Sequence, residues 1–562
     1  MNMPPLLSSR NKEILLILLL FLISFSINLY NWDSLSLFEG RADIHMAKIF
    51  SFENFEMAGG YTGTIFFLLL MRAVLGLNLF SVRLASAISI ASIVVLIYLF
   101  TKDYLGRRTA LLTSVMLITA PVFITMCISE VPYLAFFPAL LSFLFYRYYR
   151  TRDIRYLYIY ALVGGYSLYH KLINLYFLIS LIVSFILVKW MFKIKSNFNL
   201  NKKSILILVF FFIIGLSPLI IHNIRYDFPL LSKIDGLIFS EEHEGLSIIS
   251  KINKKILQFA RIEYSLGLPI SEDIVFLEPH SPILPFPRFY HFNLSIFLMS
   301  LILFVISRDP KKIFLLLLIF FFSCLTILSP TDPIIAHYLP VQPFFFIVMA
   351  SGLVMIYKSN IKIFKIKNLN KVLFFMLIGL FIFLNFSNVL TFLALSKDQV
   401  FVEETLPEFA IIHHNLVESL EEADVIVVPS YSSFGDYIPQ YYPEKKTTNF
   451  CDAFYDEKND VCSFVSCSAD DLFFLKNKGV KYVLPYLSEN LTAYNLTGYG
   501  LIKGPIRNCK IAFGPYGNFN NTNYPLEFLL SEAAKKKKTL RLEKDFVNAH
   551  GEVVYKIYSI EN

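Results

Sequence analysis

The stretch "LFEGRADIHMAKIF", residues 37–50, concentrates ionisable side chains in an otherwise strongly apolar chain. Glu39, Arg41 and Asp43 alternate along it. A carboxylate can accept the proton of an attacking hydroxyl, and a cation can hold a phosphate group. Other polar candidates lie where apolar runs meet, and they are Tyr61, Glu130, His170, Lys171, Arg225, His337 and Tyr338. The set could perform general-base chemistry beside a phosphorylated substrate if the fold places its members at one end.

The elements that must position these residues are membrane spans. The chain has 562 residues, of which 56% are hydrophobic and 57 are Phe, and apolar runs of about 18 residues indicate transmembrane helices. No small-residue cleavage site follows the first run, which predicts an anchor and not a removed signal peptide. Eleven spans are predicted, at 14–30, 84–100, 109–127, 131–146, 156–169, 172–188, 204–222, 294–306, 313–328, 334–356 and 372–395.

The loops between these spans predict the orientation. Lys and Arg are retained on the cytoplasmic side of membrane proteins. With a cytoplasmic N-terminus, five basic loops fall inside, and these are 101–108, 147–155, 193–203, 307–312 and 357–371. The stretch 62–77 is also apolar, but if it crossed the membrane, every basic loop after it would lie outside. We therefore predict that it forms a helix in the outer interface. The candidate residues then all face outward. The net charge of +8 is explained by the basic inner loops and does not point to nucleic acid.

A second domain is predicted after the last span. Residues 1–395 form the predicted transmembrane catalytic domain, with outer loops at 31–83 and 223–293. Residues 396–562 contain strand-like runs such as "ADVIVVPS" and "GVKYVLPYL" beside a helix-like one, which predicts an extracytoplasmic α/β domain. Four of the six cysteines lie in it, and an even number on an oxidising face favours two disulfides, with Cys462 and Cys467 close enough in sequence to close a small loop. The predicted fold is thus a polytopic α-helical membrane protein with a C-terminal α/β domain.

The outward position of these charges suits one reaction well. No nucleotide is available outside the cell, whereas a sugar on a polyprenyl phosphate arrives from within the bilayer. A carboxylate can activate the acceptor hydroxyl, and Lys, Arg or His can stabilise the phosphate as it leaves. The acceptor could be a protein, a lipid or a glycan. A transporter or flippase of an anionic lipid or solute could use the same charges, and so remains an alternative.

Six motifs, in order, resemble the GT-C membrane glycosyltransferases of the protein O-mannosyltransferase and lipid A aminoarabinose transferase type. The resemblance covers about residues 14–356. In "EGRADIHMAK", Glu39 lies at the Asp of the family's Asp-Glu pair, Gly40 replaces the Glu, and Asp43 takes the place of a Tyr. The other motifs are "GGYTGTIFFLLLMRAVLGLNLFSVRLAS", "FTKDYLGRRTALLTSVMLITAPVFITMCISEVPYLAFF", "GGYSLYHKLIN", "PLIIHNIRYDFPL" and "HYLPVQP", in which His337 replaces an Arg.

The resemblance implies a GT-C-like fold and an inverting hexosyl- or pentosyltransferase of the cell membrane that uses a dolichyl or other polyprenyl phosphate sugar. Glu39 would be the general base, with Glu130 as a second acid and Asp43 as the base if the alignment shifts by one turn. Lys171, Arg225, His337 and Arg41 would bind the donor phosphate, and Tyr61, His170 and Tyr338 would line the sugar pocket.

No cofactor is required, although the two acids could hold Mg²⁺ or Mn²⁺. Because Gly40 breaks the acidic pair, a membrane scaffold that has lost its activity is a further alternative.

Overall fold

The computed structural model is helical up to residue 398 and rich in strands after it. It describes residues 9–30, 70–71, 73–75, 79–120, 123, 132–194, 201–225, 289–328, 338–358, 369–398, 425–428, 446–449, 451–456, 461–467, 480–485, 519–520, 524–547 and 553–561.

The helices coincide with the predicted apolar runs. Within the described residues before the tail, each helix overlaps one run. Six of them (α1, α2, α6, α7, α9 and α11) are long and apolar enough to cross a membrane. The protein is therefore a multi-pass membrane protein, while the number of eleven spans stays a prediction. The helices are α1 (Ser9–Leu29), α2 (Leu79–Leu105), α3 (Arg107–Thr119), α4 (Pro132–Thr151), α5 (Ile154–His170), α6 (Ile173–Met191), α7 (Lys202–Arg225), α8 (Phe289–Ser307), α9 (Pro310–Leu328), α10 (Gln342–Lys358) and α11 (Leu369–Asp398).

The basic loops meet at one end of the helical bundle, beginning with α1 and α2. Glu13, near the start of α1, accepts hydrogen bonds from the Tyr98 hydroxyl at 2.6 Å and from Lys102 Nζ at 2.7 Å. Both donors lie in the last turns of α2. The start of one helix therefore lies beside the end of the next, as alternating spans require.

Further contacts join the remaining basic segments to this end. Asp103 of α2 forms ion pairs with Arg147 and Arg150 at the end of α4. The Tyr104 hydroxyl donates to the carbonyl of Lys311 at 2.8 Å, and Lys311 Nζ donates to the carbonyl of Tyr104 at 2.8 Å. Elsewhere at this end, the Arg108 guanidinium lies over the Tyr357 ring, and Ile194 lines a cavity together with Lys311. We call this the basic end, where α2, α4, α6, α8 and α10 finish.

A capping residue fixes where α5 begins. The Asp153 side chain accepts a hydrogen bond from the backbone N–H of Arg155 at 3.1 Å, which satisfies one of the free donors of the first helical turn. The Arg155 side chain also donates to this carboxylate and, together with the backbone bond, holds the pKa of Asp153 below its ordinary value. The cap lies at the basic end, where the predicted loop 147–155 joins α4 to α5.

Helix α10 lies in the middle of the bundle. Nearly all of its residues are buried, and Phe344, Phe345 and Phe346 are fully buried. The Phe344 ring lies 5.6 Å from Phe177 of α6 and 6.1 Å from Phe100 of α2, measured between ring centroids. A helix that is apolar on every side is expected in such a position.

Helices α5 and α7 approach each other so closely that only glycine fits at the crossing. A Cβ added at Gly165 would meet the backbone oxygen of Phe212 and, at 2.8 Å, the backbone nitrogen of Leu216. Gly215 has the reciprocal position, since a Cβ there would lie 2.9 Å from the nitrogen of Tyr166. Small residues allow helix backbones to pack this closely in membrane proteins.

The tail contains two sheets and one helix in its described residues. The five-stranded sheet has the order β2–β1–β5–β8–β7, parallel among its first three strands and antiparallel among its last three, and β3–β4–β6 form the other sheet. The elements are β1 (Val425–Val428), β2 (Lys446–Asn449), β3 (Cys451–Asp456), β4 (Val461–Cys467), β5 (Val480–Pro485), β6 (Phe519–Asn520), α12 (Tyr524–Lys535), β7 (Thr539–Val547) and β8 (Val553–Glu561).

The two quoted strand-like runs are confirmed as β1 and β5, whereas the α/β domain as a unit and its outer location stay predictions. The suggestion of a small loop closed by Cys462 and Cys467 is wrong. Both residues belong to β4, and five residues of extended strand span about 16 Å. Disulfides join residues whose Cα atoms are usually about 4.4–6.8 Å apart. The register instead pairs Cys451 of β3 with Cys467.

Candidate active site

Four of the predicted site residues fall within the described part of the chain. The structure describes His170, Lys171 and Tyr338, together with the backbone of Arg225. The others lie outside the described residues, and their roles stay predictions; they are Glu39, Arg41, Asp43, Tyr61, Glu130 and His337.

The turn between α5 and α6 holds His170 and Lys171 in a fixed arrangement. His170 is the last residue of α5 and is 1% exposed, with its ring centroid 5.2 Å from that of Phe137 on α4. The backbone N–H of Lys171 donates to the carbonyl of Ser167 at 3.1 Å, and the carbonyl of Lys171 accepts from the N–H of Asn174 at 3.0 Å. Lys171 therefore lies on a short, hydrogen-bonded turn at the end of two helices.

Asn174 is a polar residue of this turn that the sequence reasoning missed. Its side chain is fully buried, and its Nδ2 donates to the carbonyl of Ser167 at 2.8 Å, so that this carbonyl accepts from both the Lys171 N–H and the Asn174 amide. Its Oδ1 accepts no hydrogen bond within the described residues. The available signal was one amide in the apolar run that starts at "LINLYFLIS", directly after the lysine.

Tyr338 lies at the same end of the bundle as this turn. It is 3% exposed, and its carbonyl accepts from the N–H of Val341 at 3.0 Å in the turn that leads into α10. Phe344, early in α10, contacts Phe177, early in α6. The first turns of α6 and α10 are therefore level with one another, which brings Tyr338 and Lys171 to one end.

Helix α7 carries the backbone of Arg225 to this end as well. Tyr158 stacks on Phe211, and further along both helices Gly165 packs against Gly215. Contacts that advance in the same direction show that α5 and α7 run parallel. Arg225 ends α7 as His170 ends α5. This is the end opposite the basic end, and we call it the motif end.

The motif end can supply a cation, aromatic groups and a buried amide. Within the described residues no group of three or more His, Cys, Asp or Glu side chains could hold a metal ion. The two acids that could do so lie outside those residues, so the suggested Mg²⁺ or Mn²⁺ stays a prediction. Lys171 can hold an anion, and the buried Asn174 oxygen can accept a hydrogen bond from a ligand hydroxyl.

One segment of the chain matches a known family. Residues 63–222 match the family described as dolichyl-phosphate-mannose-protein mannosyltransferase. The matching segment begins in the predicted interfacial stretch, ends in α7, and includes Glu130, His170 and Lys171. No curated protein sequence matches the chain.

Two solved structures of one protein have a fold similar to that of this chain. ArnT from Cupriavidus metallidurans in its apo state has a TM-score of 0.56 at 12% identity, covering 98% of this chain and 98% of that chain. The same protein bound to undecaprenyl phosphate has a TM-score of 0.54 at 11% identity, covering 97% of this chain and 98% of that chain. The segment match and this shared fold confirm the resemblance that the motifs indicate: the chain is similar to the GT-C membrane glycosyltransferases.

Proposed function

We propose that the protein transfers one sugar, with inversion, from a polyprenyl phosphate to an acceptor on the outer face of the membrane. The observation that carries the proposal is that the basic loops and the candidate site residues lie at opposite ends of the bundle. The basic loops meet at one end, while Lys171, Tyr338 and the end of α7 lie at the other. If the basic end is cytoplasmic, as the distribution of Lys and Arg predicts, the motif end is extracytoplasmic.

In this proposal the acceptor hydroxyl attacks the anomeric carbon of the sugar. Glu39 takes the hydroxyl proton as the new carbon–oxygen bond forms. The bond between the anomeric carbon and the phosphate oxygen breaks, and the phosphate keeps the electron pair. Glu130 would position the acceptor or the base. This assignment rests on the sequence motifs.

The cations of the motif end would stabilise the phosphate as its negative charge grows. Lys171, Arg225, His337 and Arg41 are the proposed contacts, and Lys171 is held in place by the hydrogen-bonded turn. His170, Tyr61 and Tyr338 would line the sugar pocket. Asn174 adds an acceptor for a sugar hydroxyl beside the lysine.

The lipid carrier of the donor is proposed from the two comparisons. The matching family is described by dolichyl-phosphate-mannose, and the structurally similar ArnT has been solved with undecaprenyl phosphate. A polyprenyl phosphate reaches the motif end through the bilayer, so this chemistry needs no soluble donor. The acceptor hydroxyl would belong to a protein, a lipid or a glycan.

Transport of an anionic lipid is the less favoured alternative. Ionisable groups inside membrane helices mark ion and substrate pathways. In the described helices the Asp, Glu, Lys and Arg residues lie in the terminal turns and leave the middle of each helix uncharged. An active site at one end fits this distribution better than a pathway through the bundle.

The test uses the full-length protein reconstituted in liposomes with a panel of labelled dolichyl-phosphate sugars and an acceptor membrane extract. We expect transfer of label from one of these donors. Lys171→Ala should raise the donor Kd about tenfold or more, because a charge-assisted hydrogen bond is worth roughly 1.5–3 kcal/mol.

Lys203→Ala is the matched control. Lys203 is an exposed lysine in the first turn of α7, at the other end of the bundle, and its loss should leave donor binding unchanged. Equal effects of the two substitutions would contradict the placement of the donor site. An absence of transfer from every donor, with the protein folded, would contradict the proposed function itself.

A further inference from the structure

The basic end contains a cavity that the proposed reaction does not use. Its volume is about 330 Å³, roughly twice that of the engineered apolar cavity of about 150 Å³ that binds benzene. It lies between α2, α4, α6 and the turn that joins α8 to α9. A space of this size between membrane helices is large enough for part of a lipid.

The wall of the cavity is aromatic and apolar. Tyr104 and Tyr146 line it, yet both hydroxyls are already engaged, the first with the carbonyl of Lys311 and the second with the carbonyl of Asp103 at 2.9 Å. Phe185 of α6 lines it too. A wall built from rings whose polar atoms are bound elsewhere favours an apolar guest.

The cavity extends from the membrane interface into the hydrocarbon region. Along α6 it runs from Leu181 to Lys189, which is about 12 Å of helix. The next residue, Trp190, is 76% exposed, and tryptophan is enriched at the level of lipid headgroups. Its mouth is therefore at headgroup depth, and its floor lies among acyl chains.

The floor of the cavity, at its deep end, holds a side-chain hydroxyl that makes no hydrogen bond within the described residues. It belongs to Ser142 of α4, which lines the cavity and is 2% exposed. A buried hydroxyl is costly to leave unsatisfied. Because Ser142 lies about 12 Å of helix below the rim, a bulky side chain placed there would block the floor of the cavity.

The rim of the cavity is positively charged. Lys189 and Lys311 line it together with a single carboxylate, Asp309. That carboxylate accepts a hydrogen bond from the backbone N–H of Lys311 at 3.0 Å and lies 3.9 Å from Lys312 Nζ, so one cation of its own turn offsets its charge. The neighbouring arginines Arg147 and Arg150 are paired with Asp103. The excess positive charge at the rim complements an anionic headgroup.

We propose that this cavity binds one anionic phospholipid from the leaflet at the basic end, with an acyl chain against the aromatic wall and the phosphate at Lys189 and Lys311. The site is separate from the proposed donor site, which lies at the motif end. A lipid chain there fills a void whose walls would otherwise lose contacts, and it ties α4 and α6 to the α8–α9 turn. Loss of this lipid would loosen the basic end and leave the chemistry of the motif end unaltered.

The experiment uses full-length protein in nanodiscs of phosphatidylcholine that contain a trace of phosphatidylglycerol with a photoactivatable group on its acyl chain. After irradiation, we expect cross-links on peptides of α4 and α6 near residues 142–149 and 181–189. Unlabelled phosphatidylglycerol should compete, whereas phosphatidylcholine and inorganic phosphate should not. Equal competition by phosphatidylcholine would overturn the role of charge, and cross-links only on lipid-facing positions would overturn the site.

Two variants and a control test the contacts separately. Ser142→Phe fills the floor and should abolish the cross-link. Lys189→Gln keeps the cavity but removes a rim charge, and should weaken competition by phosphatidylglycerol about tenfold. Lys203→Gln removes a charge from the same end outside the cavity and should have no effect. Equal weakening by Lys189→Gln and Lys203→Gln, or wild-type labelling of folded Ser142→Phe, would overturn the proposal.

Discussion

A carboxylate that accepts a proton only during sugar transfer should affect turnover and leave donor binding unchanged. We therefore expect Glu39→Gln to lower the turnover number about 10²- to 10⁴-fold, the usual contribution of general-base catalysis. The donor Kd should stay the same, because cations hold the phosphate. Steady-state kinetics and equilibrium binding on the same preparation measure both quantities.

Asp43→Asn is the internal control for this prediction. Asp43, His45 and Lys48 have the spacing of the polar face of a short interfacial helix, so the change should have little effect. If Asp43→Asn abolishes transfer and Glu39→Gln does not, Asp43 is the base. If neither change matters, the acidic stretch is a surface and the enzymatic proposal fails.

Single residues were predictable to different degrees. Lys171 was found because a cation beside a membrane span is conspicuous and its motif has a family counterpart. Asn174 was missed because one amide in an apolar run carries no signal about its neighbours. Only the fold shows that it is fully buried and bound to the end of α5.

At the scale of elements, the crossing of α5 and α7 leaves no space for a side chain at Gly165 but leaves space for one at Gly164. Gly165→Ala should lower stability by about 1–3 kcal/mol, since the added methyl would meet the backbone of α7 and force the helices apart. Because α5 carries Lys171 and α7 carries Arg225, donor affinity should fall as well. Equilibrium unfolding in mixed micelles and donor binding are the measurements.

Gly164→Ala is the matched control for the crossing. A methyl group there would lie 3.8 Å from its nearest neighbours, side-chain atoms of Leu178 and Phe212, which is ordinary contact. Alanine also favours the helix by about 1 kcal/mol over glycine. Stability should therefore stay the same or rise. A greater loss for Gly164→Ala than for Gly165→Ala would contradict the described packing.

The register of β3 and β4 predicts a disulfide between Cys451 and Cys467. Directly opposite residues of an antiparallel pair have Cα atoms about 4.5–5.5 Å apart, within the range of disulfides. If the tail forms two disulfides, the second would then join Cys462 and Cys509. Non-reducing peptide mass spectrometry should find the Cys451–Cys467 linkage. Four free thiols, or a Cys462–Cys467 linkage, would contradict the expectation.

At the scale of elements, the sequence predicts the helices but not the contacts between them. Apolar runs and basic loops are local signals, and the helices follow them closely. The contact between Gly165 and Gly215 joins residues far apart in sequence, and nothing in either segment names its partner. The cysteine pairing failed for the same reason, since Cys462 and Cys467 are neighbours in sequence but are held apart by an extended strand.

At the scale of the whole molecule, the meeting of the described parts of the five basic loops predicts a single cytoplasmic end. We expect a membrane-impermeant thiol reagent applied to intact cells after reduction to label Cys451. A cysteine placed at Ser196, in the loop 193–203, should react only after the membrane is permeabilised. A cysteine-free background with one cysteine restored at a time gives the control. Reversed labelling would place the motif end in the cytoplasm and contradict the outer-face reaction.

The reciprocal hydrogen bonds between Tyr104 and Lys311 join residues 207 positions apart in the chain. A ribosome that adds about 5–20 residues per second needs roughly 10 to 40 s to cover that distance. Throughout this interval the last turn of α2 is in the membrane without its partner from α9. The nascent protein must therefore pass through a stage in which its earlier helices are inserted but not yet closed at the basic end. A chain that stops before Lys311 stays in that state, exposed to the proteases that survey newly made membrane proteins.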